Sequence, residues 1–197
     1  MKEETLGFAL NAFEIEAKTI IDTRDHMDWE AFSEAVNAIS KTERIGVSGC
    51  GHSGIACRHF AHSLCCIERP ARFLSPSEAV HGATGFLQKG DVFISASRGG
   101  KTAELLPIIE IARKKGATII SITENVESEM AKRSDIVLPM TVRREADRYD
   151  TQGTGSFVSL VAIFDALQVA VIEETGYHSD QFALIHPGGA VGERLNS

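Results

Sequence analysis

The sequence carries no surplus of basic charge. Across 197 residues, acidic side chains outnumber basic ones and the formal net charge is −7. With no basic tail and no basic-aromatic stripe, no nucleic-acid partner is expected. No apolar run approaches the roughly 18–20 residues that span a bilayer, so no membrane partner is expected either. The start, Met1-Lys2-Glu3-Glu4, is acidic and lacks the apolar centre of a signal peptide. The four cysteines, Cys50, Cys57, Cys65 and Cys66, form neither a CxxC pair nor a spaced framework. Reduced thiols and a cytoplasmic location are the expectation. There is no internal repeat, low-complexity segment or linker, so a single domain over residues 1–197 is expected. Its length allows a core that needs no staple.

What is present is an alternation of two periodicities. Residues 6–22 place Leu6, Ala9, Leu10, Phe13, Ala17, Ile20 and Ile21 at helical spacing, with Thr5 as a candidate N-cap. A second helix is predicted over 28–40 behind Asp28. Short β-rich runs follow at Arg44–Ser48, Ala71–Leu74, Asp91–Ala96, Ala117–Ile122 and Ile136–Pro139. Helix-like segments at 53–66, 76–82, 102–114 and 126–132 lie between them. Strands alternating with helices predict an α/β fold: a doubly wound, three-layer α-β-α sandwich around a five-stranded parallel sheet. The apolar character of the strands fits burial on both faces. A charged stretch at 141–155 precedes a long helix over 156–175, a short helix at 179–184 and the turn-rich His186-Pro187-Gly188-Gly189.

The chemistry-bearing residues mostly follow strands, where open α/β sheets bind ligands. The stretch Ser97-Arg98-Gly99-Gly100-Lys101-Thr102 joins a predicted strand to a predicted helix. Small residues, hydroxyls, cations and free backbone N–H groups there make an anion site, and a phosphate ligand is expected. The P-loop pattern needs a glycine where Ser95 stands, which argues against a nucleoside triphosphate. Gly49-Cys50-Gly51-His52-Ser53-Gly54 matches G-x-G-x-x-G on a strand-to-helix turn. No acidic residue ends the next strand, so a sugar- or phosphate-contacting loop is preferred to a dinucleotide site. The plain alternatives are a tight turn that serves only packing for Gly49–Gly54 and an ordinary solvated loop for Ser97–Thr102. Glu145 within Arg143-Arg144-Glu145-Ala146-Asp147, His81 before Gly82, and His186 before Pro187 each have an ordinary reading as ion pair, cap or turn. His59, His62 and Cys66 lie off the expected core stripe Ala56, Cys57, Phe60, Ala61 and Leu64. With no fourth ligand evident, no metal is expected and an interface role is preferred.

Taken together, these loops resemble the sugar isomerase (SIS) domain family, most closely its arabinose-5-phosphate isomerase branch. The likeness runs from Gly49–Gly54 through Glu78-Ala79-Val80-His81-Gly82, Ser97–Glu104 and Val142–Ala146 to Phe182–Gly192. The resemblance implies an enzyme that interconverts aldose and ketose sugar phosphates through a cis-enediol, with no organic cofactor. It implies phosphate binding by Gly51, Ser53, Ser97, Arg98, Gly99, Gly100, Lys101 and Thr102. Glu145 would be the base for transfer between C1 and C2, and His186 would open the ring or polarise the carbonyl. His81 and His52 would contact sugar hydroxyls. It also implies a homotetramer, or dimer of dimers, with sites at subunit contacts. The C-terminal CBS pair that many members carry is not expected here. Two departures stand out: His52 replaces a usual lysine, and Gly99 and Lys101 replace a usual serine and glutamate. They leave open a non-catalytic sugar-phosphate sensor, or an isomerase of hexulose or heptose phosphates.

Overall fold

Five short apolar, β-branched runs make the sheet on which everything else packs. The computed structural model describes residues 2–195. Strands β1 (Ile45–Gly49), β2 (Ala71–Phe73), β3 (Val92–Ala96), β4 (Thr118–Thr123) and β5 (Ile136–Pro139) pair in parallel in the order β2-β1-β3-β4-β5. Each predicted run is found, shifted by no more than one residue at an end. Strands β1 and β3 are buried at every position because helices cover both faces. Their side chains alternate between two cores. Val92 and Ile94 face one and Phe93 the other.

The first core is closed by α2 (Trp29–Lys41), α3 (Gly51–Cys66) and α7 (Gly155–Thr175), with α1 (Glu3–Asp25) packed outside on α7. The second is closed by α4 (Pro76–Ala79), a 3-10 turn at Ala83–Phe86, α5 (Leu106–Lys114) and α6 (Glu129–Lys132). Two short helices, α8 (Ser179–Ile185) and α9 (Gly189–Leu195), end the described chain. This is the doubly wound three-layer sandwich expected from the alternation.

Helix starts differ more than strands. Asp28 caps α2, accepting the N–H groups of Glu30 and Ala31 at 3.1 and 3.0 Å. Thr5 caps nothing, because α1 already begins at Glu3. Helix α5 begins at Leu106 rather than 102, since Pro107 has no N–H to bond back to residue 103. Residues 102–105 instead form a turn, closed by the Leu105 N–H donating to the Thr102 carbonyl at 3.1 Å. Helix α4 stops early, before Gly82 at φ 111°. The turn-rich stretch at 186–188 is non-helical as expected, and helix α9 follows it from Gly189.

Helices α1 and α7 differ in where they place their apolar surface. Leu6, Leu10, Phe13, Ile20 and Ile21 of α1 are exposed, whereas Thr19, Asp22 and Thr23 are buried. Polar bonds hold that inner face. The Thr23 hydroxyl pairs with the Ser159 hydroxyl at 2.8 Å and accepts the Thr141 N–H at 3.1 Å. Arg143 Nε lies 2.7 Å from the Asp22 carboxylate. Helix α7 is long and apolar enough to cross a membrane by length and composition, contrary to the expectation that no such run exists. It packs against α1, α2 and α3 instead, and its Phe164 stacks on Phe60 of α3 at 4.2 Å between ring centroids. Replacing Phe164 with Ala leaves a cavity at that stack. The expected cost is about 3–5 kcal/mol, read as a lowered urea midpoint at fixed protein concentration.

Candidate active site

The strand order reverses between β1 and β3, so the loops that follow these two strands face each other across a crevice. The loop after β1 runs straight into α3. Its N-cap, Cys50, makes no side-chain cap, which leaves the first-turn N–H groups of Gly51, His52 and Ser53 without one. Helix α3 can lie this close to β1 only because Gly54 has no side chain. A Cβ there would come within 2.5 Å of the Gly49 carbonyl oxygen. The glycine pattern thus serves packing and also delivers an open helix N-terminus to the crevice.

Opposite lies Ser97–Thr102. The Ser97 and Thr102 hydroxyls pair at 2.8 Å, and the Gly100 N–H donates to the Ser97 carbonyl at 3.1 Å. Gly100 sits at φ 62°, and a Cβ there would collide with the Ser128 side chain. Lys101 and Gly99 are exposed. Ser95, the residue that breaks the P-loop pattern, lies within β3, where its hydroxyl pairs with that of Ser121 at 3.0 Å. The helix dipole expected directly behind this loop is displaced, because α5 starts only at Leu106. The open helix end at the crevice belongs to α3.

Arg98 departs from its expected role as a phosphate ligand. Its Nε donates to Glu124 at 2.8 Å, its Nη1 to Glu145 at 2.7 Å and its Nη2 to the Val142 carbonyl at 3.2 Å. Glu145 is likewise not the free carboxylate expected of a base. Its side chain is 3 % exposed. Besides Arg98, it accepts the Thr154 hydroxyl at 3.3 Å and the Ser156 N–H at 3.1 Å, so it also caps the first turn of α7. Glu124 was missed from sequence; its place directly after β4, at the same sheet end as the other loops, was the available signal. Asp147 and Asp150 were missed as well. The Glu145 N–H donates to Asp150, and Asp147 accepts the N–H groups of Tyr149, Thr151 and Gln152. Those donors hold the Asp147 carboxyl below the usual carboxylate range, the Gln152 N–H foremost.

The histidines are dispersed. His52 is exposed and packs edge-on against Phe157 of α7, with ring centroids 6.3 Å apart. His81 is exposed on the outer side, after β2 and α4. His186 lies elsewhere. Its helix, α8, is tied by the Gln181 amide to Glu68, just past the far end of α3, and the Tyr177 hydroxyl donates to the Cys66 carbonyl there. The 16 residues of α3 put about 24 Å between that end and the crevice. A cavity of ≈ 400 Å³ opens between the β1 loop and the end of β2, lined by Cys50, Gly51, Arg58, Ser75 and Glu104 among others. Burial and the neighbouring Glu104 raise the Cys50 thiol above its ordinary pKa. His59 and His62 are exposed, and among the described residues no His, Cys, Asp and Glu cluster could hold a metal ion.

A family model described as the SIS domain matches residues 38–173. Arabinose 5-phosphate isomerase KdsD of Pseudomonas aeruginosa is 37% identical over 77% of this chain and 47% of its own length. The enzyme of that name from Francisella tularensis is 30% identical over 95% of this chain and 58% of its own. The chain thus spans about half the length of the curated relatives it matches. Among solved structures, a candidate sugar-phosphate isomerase of Listeria monocytogenes is 41% identical with a TM-score of 0.92, over 95% of this chain and 100% of that one. An E. coli protein solved in complex with arabinose 5-phosphate is 26% identical with a TM-score of 0.87, over 95% and 100%.

Two outcomes follow from this geometry. Gly100→Ala forces a left-handed backbone and a clash with Ser128. It should destabilise the protein by at least about 1 kcal/mol and abolish inorganic phosphate shifts of the Ser97–Thr102 amides in NMR. Asp147, with its folded pKa lowered, supports its loop above the ordinary carboxylate pKa. That support is lost as pH falls through the lowered value, so the Thr151 and Gln152 amides should lose exchange protection only in strong acid.

Proposed function

The chain belongs to the SIS domain family, and from that premise we propose that it is a sugar-phosphate aldose–ketose isomerase acting on D-arabinose 5-phosphate and D-ribulose 5-phosphate. The observation that carries the reading is the crevice between β1 and β3. It joins the open N-terminus of α3 to a hydroxyl-rich loop that bears an exposed lysine. That is a phosphate cradle with no provision for a nucleotide. Relatives named arabinose 5-phosphate isomerase support the choice of sugar.

In this reading the substrate phosphate takes N–H groups from Gly51 and Gly99, hydroxyls from Ser53, Ser97 and Thr102, and charge from Lys101, while the Gly100 N–H, bonded to the Ser97 carbonyl, shapes the loop. Binding there holds the sugar so that its reacting end is oriented, and remote binding energy supports the chemical step. After ring opening, the C2 proton leaves the aldose as the carbonyl oxygen at C1 takes a proton, giving the cis-enediol. Loss of the O2 proton and protonation at C1 give the ketose. Hydrogen moves within one molecule, so no external oxidant, reductant or organic cofactor takes part.

Glu145, buried under Arg98, acts in this conformation through the loop it holds, and the exposed imidazoles are better placed to exchange protons with solvent. His186 is assigned to the crevice of a neighbouring subunit, since its own lies the length of α3 away. The exposed apolar residues of α1 and Val169 of α7 support a homo-oligomer, assigned here as a tetramer. Four free cysteines fit a reducing compartment, assigned as the cytoplasm. A non-catalytic sensor is the second reading, favoured by the sealed state of Glu145 and by the departures at His52 and Lys101.

The test is exchange at C1 and C2 in D2O, followed by NMR over a panel of pentose, hexulose and heptose phosphates. Exchange with arabinose 5-phosphate is expected. Binding without exchange across the panel sinks the isomerase and leaves the sensor. His186→Ala should slow exchange about 10²–10⁴-fold. Mixing it with Lys101→Ala, then unfolding and refolding together, should restore part of the activity if His186 serves a neighbour's crevice. No restoration removes the shared site.

A further inference from the structure

We propose that Arg98 is a positioning residue that locks the phosphate loop to Glu124 and Glu145, so that three strand-end loops move as one body. The inference rests on the isomerase reading for its kinetic part only.

Arg98 is used at both ends of its side chain. Its carbonyl accepts the Glu124 N–H at 3.0 Å and the Thr123 hydroxyl at 2.9 Å, tying the backbone of the β3 loop to the end of β4. Its guanidinium then crosses the Glu124 carboxylate and reaches Glu145 and the Val142 carbonyl beyond β5. Glu124 closes the circuit by accepting the Val142 N–H at 3.1 Å on its other oxygen. Glu145 carries the linkage on to α7 through Ser156. A planar fork with several fixed donors can serve two carboxylates and a carbonyl together, whereas an ammonium group is a single point of charge. With Nε, Nη1 and Nη2 each donating within the protein, three of the five guanidinium N–H groups are committed before a phosphate arrives. Its role is to set where Glu145 and the β4 and β5 loops stand relative to the bound anion. A displacement of about 1 Å at such a site can cost about 10²-fold in rate.

Arg98→Lys keeps the charge and loses the fork, and Glu124→Ala removes the half-exposed partner. The two variants are compared by steady-state kinetics with the active sugar phosphate, by inorganic phosphate titration and by amide shifts. Arg98→Lys should lower kcat about 10–100-fold while KM and the phosphate Kd stay within about 3-fold. Glu124→Ala should lower kcat about 3–10-fold with the same split, and it carries the test should Arg98→Lys fail to fold. Amides of Glu124, Val142 and Glu145 should shift in Arg98→Lys. A rise of about tenfold or more in KM and phosphate Kd with kcat unchanged would make Arg98 a direct phosphate ligand and overturn the proposal. So would unaltered kinetics in both variants. If the wild-type protein turns over no sugar phosphate, the isomerase reading fails by itself. The amide shifts then decide, and their absence overturns the linkage.

Discussion

A carboxylate almost fully removed from water must be paired, and much of the ligand-binding end of this protein is arranged around that requirement at Glu145. Burying such a charge unpaired would cost several kcal/mol, a large share of the stability of an ordinary domain. Arg98 supplies the countercharge, Thr154 a hydroxyl, and the first turn of α7 an N–H. The partners come from two segments, the β3 loop and the start of α7, so satisfying one buried oxygen pair ties both to the β5 loop that carries Glu145. The charged stretch after β5 has little regular structure of its own. It is ordered from within by side chains: Asp150 takes the Glu145 N–H and Asp147 gathers three further N–H groups.

The strands were legible because burial on both faces writes itself into sequence as unbroken apolar runs, and nothing competes with that signal at Ile45–Gly49 or Val92–Ala96. The glycine loop after β1 was legible for a similar reason, since close helix–strand approach leaves no alternative to Gly54. Helix termini were less so. Pro107 marked the true start of α5, but the periodic residues before it at 103–105 imitate a helix. The site residues divide along the same line. Ser97, Gly100 and Thr102 are identifiable because their backbone and hydroxyl roles are local. Arg98 is not, because nothing within its own segment reveals that its partners lie 26 and 47 residues further on.

Helix α1 shows a different limit. Its apolar spacing was recognised, but periodicity says only that a stripe exists, and not which side faces the core. In this protein Thr19, Asp22 and Thr23 point inward: Thr23 bonds Thr141 and Ser159, Asp22 pairs with Arg143, and the Thr19 hydroxyl donates to the Ile15 carbonyl of its own helix. The apolar residues are left outside, and α7 presents Val169 outward in the same way. A stripe this apolar, held out by specific polar bonds on its opposite side, fits a surface meant to be covered. His186 likewise lies at the far end of α3, away from the crevice of its own chain.

Charge bookkeeping at the crevice gives the two sequence departures a physical meaning. Arg98 with Glu124 and Glu145 forms a cluster of one positive and two negative charges, so its net contribution toward an incoming phosphate is repulsive. His52 packs against Phe157 of α7. The open end of α3, the exposed Arg58 beside it and the exposed ammonium of Lys101 are the groups placed to attract an anion. With a glutamate at position 101, the same crevice would hold three carboxylates around one guanidinium. On the proposed reading, the exposed ammonium at 101 offsets Glu124 and Glu145 beside a bound dianion while Arg98 holds both carboxylates in place.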